Sequence, residues 1–350
     1  MEFSVKGITF KNEDLVETPL EDLRVHSISR SHLFHIFPNG RRCVLLLRAG
    51  EMIKKDFLKK YTEKGIQAFS SLNISKEEDI DKYKSLWNEL KRAKSQKAQL
   101  EIKEKIIVLF FKENLIASEK SILSFVISCF EEFYQLPEDV ILKYQDVSYL
   151  LFTRGLLLSS FAVLTAFAYE ICDFKFVKDF YNINLFMDFG LVESGSFNFM
   201  MSMACEAERK EPGSGLKLLK SKNRPVTEWE EFKEHPMRSF SFVDAYKEYF
   251  YHKEIIEFIK YHHEKSDGSG FPGAYFYSGL SQTEVLMSFC DNLIPFEEHI
   301  FNTGDGHKFL TAYFDSIEKE KEKGILPIEK IYNSWFSLIT WGKKNSEVAS

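Results

Sequence analysis

Residues 262–273 read His262-His263-Glu264-Lys265-Ser266-Asp267-Gly268-Ser269-Gly270-Phe271-Pro272-Gly273. From Ser266 onward the stretch is built of turn formers: Gly reaches left-handed backbone, Pro fixes φ and lacks a donor, and Ser and Asp bond their own backbone. A helix end is therefore expected at the paired histidines. Adjacent residues on a helix differ by about 100°, too far apart to share an inner stripe. Two imidazoles at a helix end can still converge on one point. Imidazole nitrogens and carboxylate oxygens suit iron, manganese and zinc, and several of them from separate helices can enclose a metal. Asp188, His235 and Asp291 are further candidates, joined by Arg154 because of its location. His26, His32, His35, His252, His299 and His307 have no partner pattern and read as ordinary surface or core residues.

Outward from this string, apolar residues recur at helical spacing over 106–114, 118–135, 137–147, 151–171, 173–187, 195–208, 227–233, 241–264, 281–300, 304–321 and 327–342. The Glu, Pro, Gly, Ser and Lys of 208–225 read as an exposed loop. Residues 113–345 are accordingly expected to form an all-helical bundle. Before it, 76–112 carry dense mixed charge with a sparse stripe of Ile80, Tyr83, Leu86, Trp87, Leu90 and Leu100, which predicts a charged helical connector made of one long solvated helix. Its stripe either pairs with a second copy, giving a homodimer, or packs onto the bundle of its own chain.

Residues 1–75 behave differently. The alternation Glu2–Phe10, the segment 32–38 and the segment 41–50 behind Asn39-Gly40 read as strands, the last two joined by a tight turn. A helix with Met52, Phe57, Leu58 and Tyr61 on one side follows over 51–63. The fold class is mainly α: a helical bundle preceded by a small α+β module and a connector.

Composition narrows the function. The chain of 350 residues is 44% apolar and 28% charged, which excludes a disordered or fibrous protein, and its 34 Phe imply helices packed through large rings. A net charge of −6 supplies no broad positive field, so no nucleic-acid partner is expected. The five Cys are odd in number and lack a CxxC pair, against both a disulfide framework and a Cys-rich zinc site. The opening MEFSVKGITFKNEDLVE has no apolar stretch behind a basic head, and the apolar run 155–169 is too short to cross a bilayer. A cytoplasmic protein without membrane insertion is expected.

Four elements in one order, Met187-Asp188-Phe189-Gly190-Leu191, His235-Pro236, the His262–Pro272 string and Asp291, resemble the HD-GYP family of metal-dependent phosphohydrolases over about 120–320. In that family HDxGK, a later His-Pro, HHExxDGxGYP and a final Asp surround two or three metals. The resemblance implies an HD-GYP-like helical domain, cyclic di-GMP phosphodiesterase chemistry, and cyclic di-GMP or diguanylate cyclase domains as partners in signalling. It makes Asp188, His235, His262, His263 and Asp291 metal ligands and Asp267, Gly268, Gly270, Phe271 and Pro272 the motif turn.

The departures from the pattern are chemical. Met187 stands where the motif has His, Leu191 where it has Lys, Phe271 where it has Tyr, and Arg154 falls at the family's upstream His. The first metal position keeps only Asp188 and Asp291, whereas the second keeps Asp188, His235, His262 and His263. The resemblance thus implies room for one iron, manganese or zinc ion, not two, and a pseudoenzyme with lost or strongly impaired hydrolysis. An enzyme working through the reduced site and a purely structural helical adaptor are the alternatives. Arg154 is expected either to bridge Asp188 and Asp291, replacing a metal's charge with a guanidinium, or to snorkel from the start of its helix.

Overall fold

A computed structural model describes residues 2–37, 42–116, 122–193 and 197–296, with single positions at 318, 329 and 333. The turn expected at Asn39-Gly40 and almost all of the helices expected at 304–321 and 327–342 lie outside the described residues. The fold is mainly α.

The N-terminal module contains more strands than expected. Glu2–Phe10 is not one strand but a hairpin of β1 (Glu2–Val5) and β2 (Ile8–Lys11), because Lys6 and Gly7, at φ 49° and 82°, form a two-residue turn. A four-stranded antiparallel sheet follows in the order β3-β6-β4-β5, made of β3 (Val16–Pro19), β4 (Ser31–Ile36), β5 (Cys43–Leu47) and β6 (Ala68–Asn73). Helix α1 (Lys55–Glu63) covers this sheet through Phe57 and Tyr61, whose rings lie 5.7 and 5.2 Å from Phe69. The module is joined to the helices by Gln145, which accepts from Met52 N and donates to Met52 O.

The expected single connector helix is two helices, α2 (Glu77–Arg92) and α3 (Gln96–Phe111), separated where Ser95 caps α3 by accepting from Ala98 N. The apolar stripe of α2 is internal. Tyr83 and Trp87 pack edge-on against Phe125 and Phe133 of α4 (Leu123–Phe133), and Trp87 Nε1 donates to Ser128 Oγ at 3.1 Å. This stripe is therefore not a free surface.

Around α6 (Tyr149–Ala168) pack α5 (Glu138–Val147), α7 (Phe174–Leu185) and α12 (Gln282–Leu293). α6 is long and apolar enough to span a membrane, but 94% of its most apolar stretch is buried inside the protein. Its interior supplies the centre of one continuous core. The short α8 (Phe189–Glu193) follows α7, then α9 (Phe199–Lys210). The loop expected at 208–225 is interrupted by α10 (Ser214–Ser221): the Glu208 carboxylate accepts from Gly213 N and Gly215 N, and Leu219 is buried. α11 (Val226–Asp244) runs unbroken through Pro236, where two separate segments were expected, and the chain then reaches His262 through a 3₁₀ segment, Lys253–Tyr261.

Candidate metal centre

Four elements bring the polar residues to one buried point. Asp188 lies on the turn between α7 and α8, His235 in the middle of α11, His262 and His263 just beyond the 3₁₀ segment, and Asp291 near the end of α12. Two glycines permit the approach. A Cβ on Gly190 would sit 2.3 Å from the His235 carbonyl, and one on Gly155, beside Arg154, 2.9 Å from Leu185 O. Gly190 N also donates to Ser239 Oγ at 2.8 Å, tying α8 to α11.

Three ring nitrogens and one carboxylate oxygen converge. His235 Nε2 lies 3.1 Å from His262 Nε2, 3.3 Å from His263 Nε2 and 3.4 Å from Asp188 Oδ1. The ligand atoms of these four residues all fall within 4.8 Å of one another. His235 and His262 point their other nitrogen, Nδ1, at the carbonyls of Phe232 and Ile259. A carbonyl only accepts, so Nδ1 holds the proton in each ring and the converging Nε2 atoms carry lone pairs. Lone pairs 3.1 Å apart repel unless a cation lies between them.

Asp188 Oδ1 is buried without a hydrogen-bond partner, an expensive state for a carboxylate oxygen. Burial pushes the His235 imidazole down in pKa and pushes His262 well down, the neighbouring rings adding to the effect on His262, so protons compete weakly for these sites. Metal–ligand bonds of about 2.0–2.2 Å place adjacent ligand atoms roughly 3.0–3.6 Å apart. The three distances from His235 Nε2 fall in this range and His262 Nε2 lies 3.8 Å from Asp188 Oδ1, so Asp188, His235, His262 and His263 could together hold a metal ion. When bound, such an ion supplies Lewis acidity and lowers the pKa of a bound water.

Asp291 stands one step back. Its Oδ2 lies 3.1 Å from His263 Nδ1, and its Oδ1 accepts from Arg154 Nη2 at 2.6 Å. It orients an imidazole, as carboxylates behind metal-ligating histidines do. Arg154, fully buried, forms ion pairs with both Asp188 and Asp291, donates from Nε to Ile294 O at 3.0 Å, and lies 4.0 Å beneath the Phe296 ring. Burial raises both carboxyl pKa values, but the neighbours outweigh it: chiefly the Arg154 guanidinium holds Asp188 at about 2, and the contacts with His263 and Arg154 hold Asp291 well below the usual carboxylate range.

Met187 and Leu191 are buried apolar core residues, so neither the imidazole nor the ammonium of the resembled motif has a counterpart there. The motif turn supports the site from behind. Phe271 packs against His263 with ring centroids 4.6 Å apart and the rings tilted by 32°, and a Cβ on Gly270 would meet His263 O at 2.4 Å. The peptide bond into Pro272 is cis. Asp267 faces outward, accepting from Ser269 N and Oγ, and Gly268 follows at φ 72°.

Glu264 was not singled out from sequence, yet it is fully buried and its carboxylate accepts from Gly273 N at 2.7 Å and Tyr275 N at 2.8 Å. The available signal was an acid directly after the paired histidines and before a run of turn formers. The carbonyls of Phe232 and Ile259 carry no side-chain signature and were not foreseeable residue by residue.

Between His263, Phe271, Phe296 and Lys265 the described residues leave a cavity of about 20 Å³, room for about one water. A larger cavity of about 700 Å³ lies on other elements, between the N-terminal sheet and α2, lined by charges of both signs including Arg24, Arg30, Glu77 and Glu131.

No family model and no curated protein matches the chain. Among solved structures it is similar to Bd1817, a HDG"Y"P protein from Bdellovibrio bacteriovorus, over 91% of this chain and 98% of that one, at 15% identity and a TM-score of 0.37. A likeness that distant carries no argument for fold or chemistry.

Proposed function

We propose that this chain is a degenerate HD-GYP-like protein that holds a single metal ion and has lost, or nearly lost, phosphodiester hydrolysis. It serves as a cytoplasmic regulatory or scaffolding component of cyclic di-GMP-type signalling, with diguanylate cyclase domains, cyclic di-GMP or a second copy as partners. The observation that carries the reading is Arg154, whose guanidinium is paired with both Asp188 and Asp291. A guanidinium neutralises two carboxylates and has no vacant orbital with which to bind hydroxide or polarise phosphate. The ammonium expected at 191 is also replaced, by a buried Leu. Loss of one stabilising donor typically slows such a step by two to three decades, and here two sources of charge are gone.

The test is anaerobic loading of the purified full chain with iron, manganese or zinc, followed by metal analysis and an assay with cyclic di-GMP. One ion per chain with no turnover is the expected result. Two ions per chain, or robust turnover, would overturn it, and calorimetry on loaded and metal-free protein decides whether cyclic di-GMP is a ligand at all.

A second reading, a phosphodiesterase working through the reduced site, draws on the unpartnered Asp188 Oδ1 among three imidazoles. It requires activity that disappears in a His262→Ala/His263→Ala variant.

A further inference from the structure

α11 carries a proline in its interior, Pro236, directly after His235. In an α-helix the N–H of residue 236 would donate to the carbonyl of residue 232. Proline has no N–H, so that carbonyl is left without its helical donor. The vacated acceptor is used by the neighbouring side chain: His235 Nδ1 bonds to Phe232 O. The opposite nitrogen, Nε2, is the one that meets His262, His263 and Asp188.

We infer that Pro236 is a positioning residue for the metal-binding cluster. By withholding a backbone donor it assigns the Phe232 carbonyl to the His235 ring, which fixes both the tautomer and the rotation of that imidazole. The inference rests on the one-metal reading above and concerns how the cluster is prepared before any ion arrives.

The other two imidazoles show why only His235 needs such help. His262 finds the Ile259 carbonyl at 2.7 Å where the 3₁₀ segment ends, and the last carbonyls of a helix lack helical donors in any case. His263 has a side-chain partner, Asp291 Oδ2. His235 lies in the middle of a helix of 19 residues, where every carbonyl is normally taken by an N–H four residues on. A carbonyl has two lone pairs, so a ring placed there must share its acceptor with the backbone unless that N–H is removed. Proline is the residue that removes it, and it is also the least favourable residue for a helix interior. At position 236 its benefit therefore falls to the imidazole, not to the helix.

The variant Pro236→Ala restores the N–H at 236 and with it the bond to Phe232 O. The expected result is a protein at least as resistant to heat and denaturant as the parent, whose affinity for Co(II) or Zn(II) is ten- to a hundredfold lower, the range found when such outer partners are lost. In nitrogen-15 imidazole spectra of the metal-free full chain, the parent shows His235 protonated on Nδ1 and the variant shows that form depleted. A purely structural proline would give the reverse: reduced stability, with affinity and tautomer unchanged. Parent spectra with the proton on Nε2 would overturn the inference without any variant, as would a Pro236→Ala protein binding Co(II) as tightly as the parent. Should the parent bind no Co(II), the one-metal reading fails, and the spectra still decide the role of Pro236.

Discussion

The buried polar centre has two halves that share Asp188 and differ in the source of their positive charge. On one side Asp188 Oδ2 and Asp291 Oδ1 face Arg154, and Nε, Nη1 and Nη2 of that guanidinium each have an acceptor. On the other side Asp188 Oδ1 has no hydrogen-bond partner and faces three imidazole nitrogens. The first half carries its cation in the covalent chain, whereas the second is arranged to receive one. Compensating buried carboxylates and activating a reactant are therefore separable tasks. A side chain can perform the first while ending the second.

The largest effect is expected when the covalent cation is removed. Arg154→Met would leave two buried carboxylates uncompensated, and we expect a loss of about 3–5 kcal/mol in denaturant unfolding. A loss under about 1 kcal/mol would mean that the guanidinium contributes no more than a surface ion pair and that the two halves are not distinct.

Acid probes the same half more gently. Asp188 and Asp291 titrate below the unfolded carboxylate value of about 3.9, so the folded protein favours their charged forms. The stability they contribute is complete above about pH 4 and is lost as the pH falls through their folded values, near 2 for Asp188. Carbon-13 spectra of metal-free protein should place the Asp188 carboxyl midpoint close to that value. A midpoint at or above the unfolded value would remove the electrostatic basis of the distinction.

The histidine half can be loosened by itself. In Gly190→Ala the new methyl would lie 2.3 Å from His235 O, so α8 and α11 must separate. The expected cost is about 1–3 kcal/mol, accompanied by weaker Co(II) binding in calorimetry. Unchanged binding would show that His235 tolerates movement of its helix. The smallest effect is expected from Phe271→Tyr, which keeps the ring on His263 and adds only a hydroxyl. Less than about 1 kcal/mol in stability and little change in metal affinity should follow. A large gain in affinity would mean that the hydroxyl sharpens the site as the ring alone does not.

The parts legible from sequence were those with strong periodicity or an ordered motif. The apolar stripes of α4 to α7 predicted helices because buried faces recur every three to four residues, and the HHEKSDGSGFPG string announced a helix end. Three kinds of feature were hidden. Val16–Pro19 and Ala68–Asn73 are strands made by pairing, with little alternation of their own. α10 lies in a charged stretch and starts at a glutamate cap supplied from the preceding helix. α11 continues through His235-Pro236 although proline ordinarily marks a break, because the freed carbonyl is answered by the ring. The motif resemblance implied Asp291 at the cluster, but it could not say which way its oxygens turn. That Asp291 serves His263 and Arg154 depends on orientation, which no sequence pattern records.

Glu264 gives the loop after the histidines an unusual freedom of length. Its carboxylate holds Gly273 N and Tyr275 N while Ser288 Oγ donates to its carbonyl, so both ends of the excursion are fastened at one residue. The tip, Asp267 to Ser269, projects into solvent beyond that fastening. For a flexible loop with pinned ends, doubling the length adds only about 0.6 kcal/mol of closure entropy. Residues inserted between Asp267 and Ser269 would lengthen the excursion while Phe271 and Gly270 stay against His263, making this turn a place where the chain can acquire new surface without disturbing its buried centre.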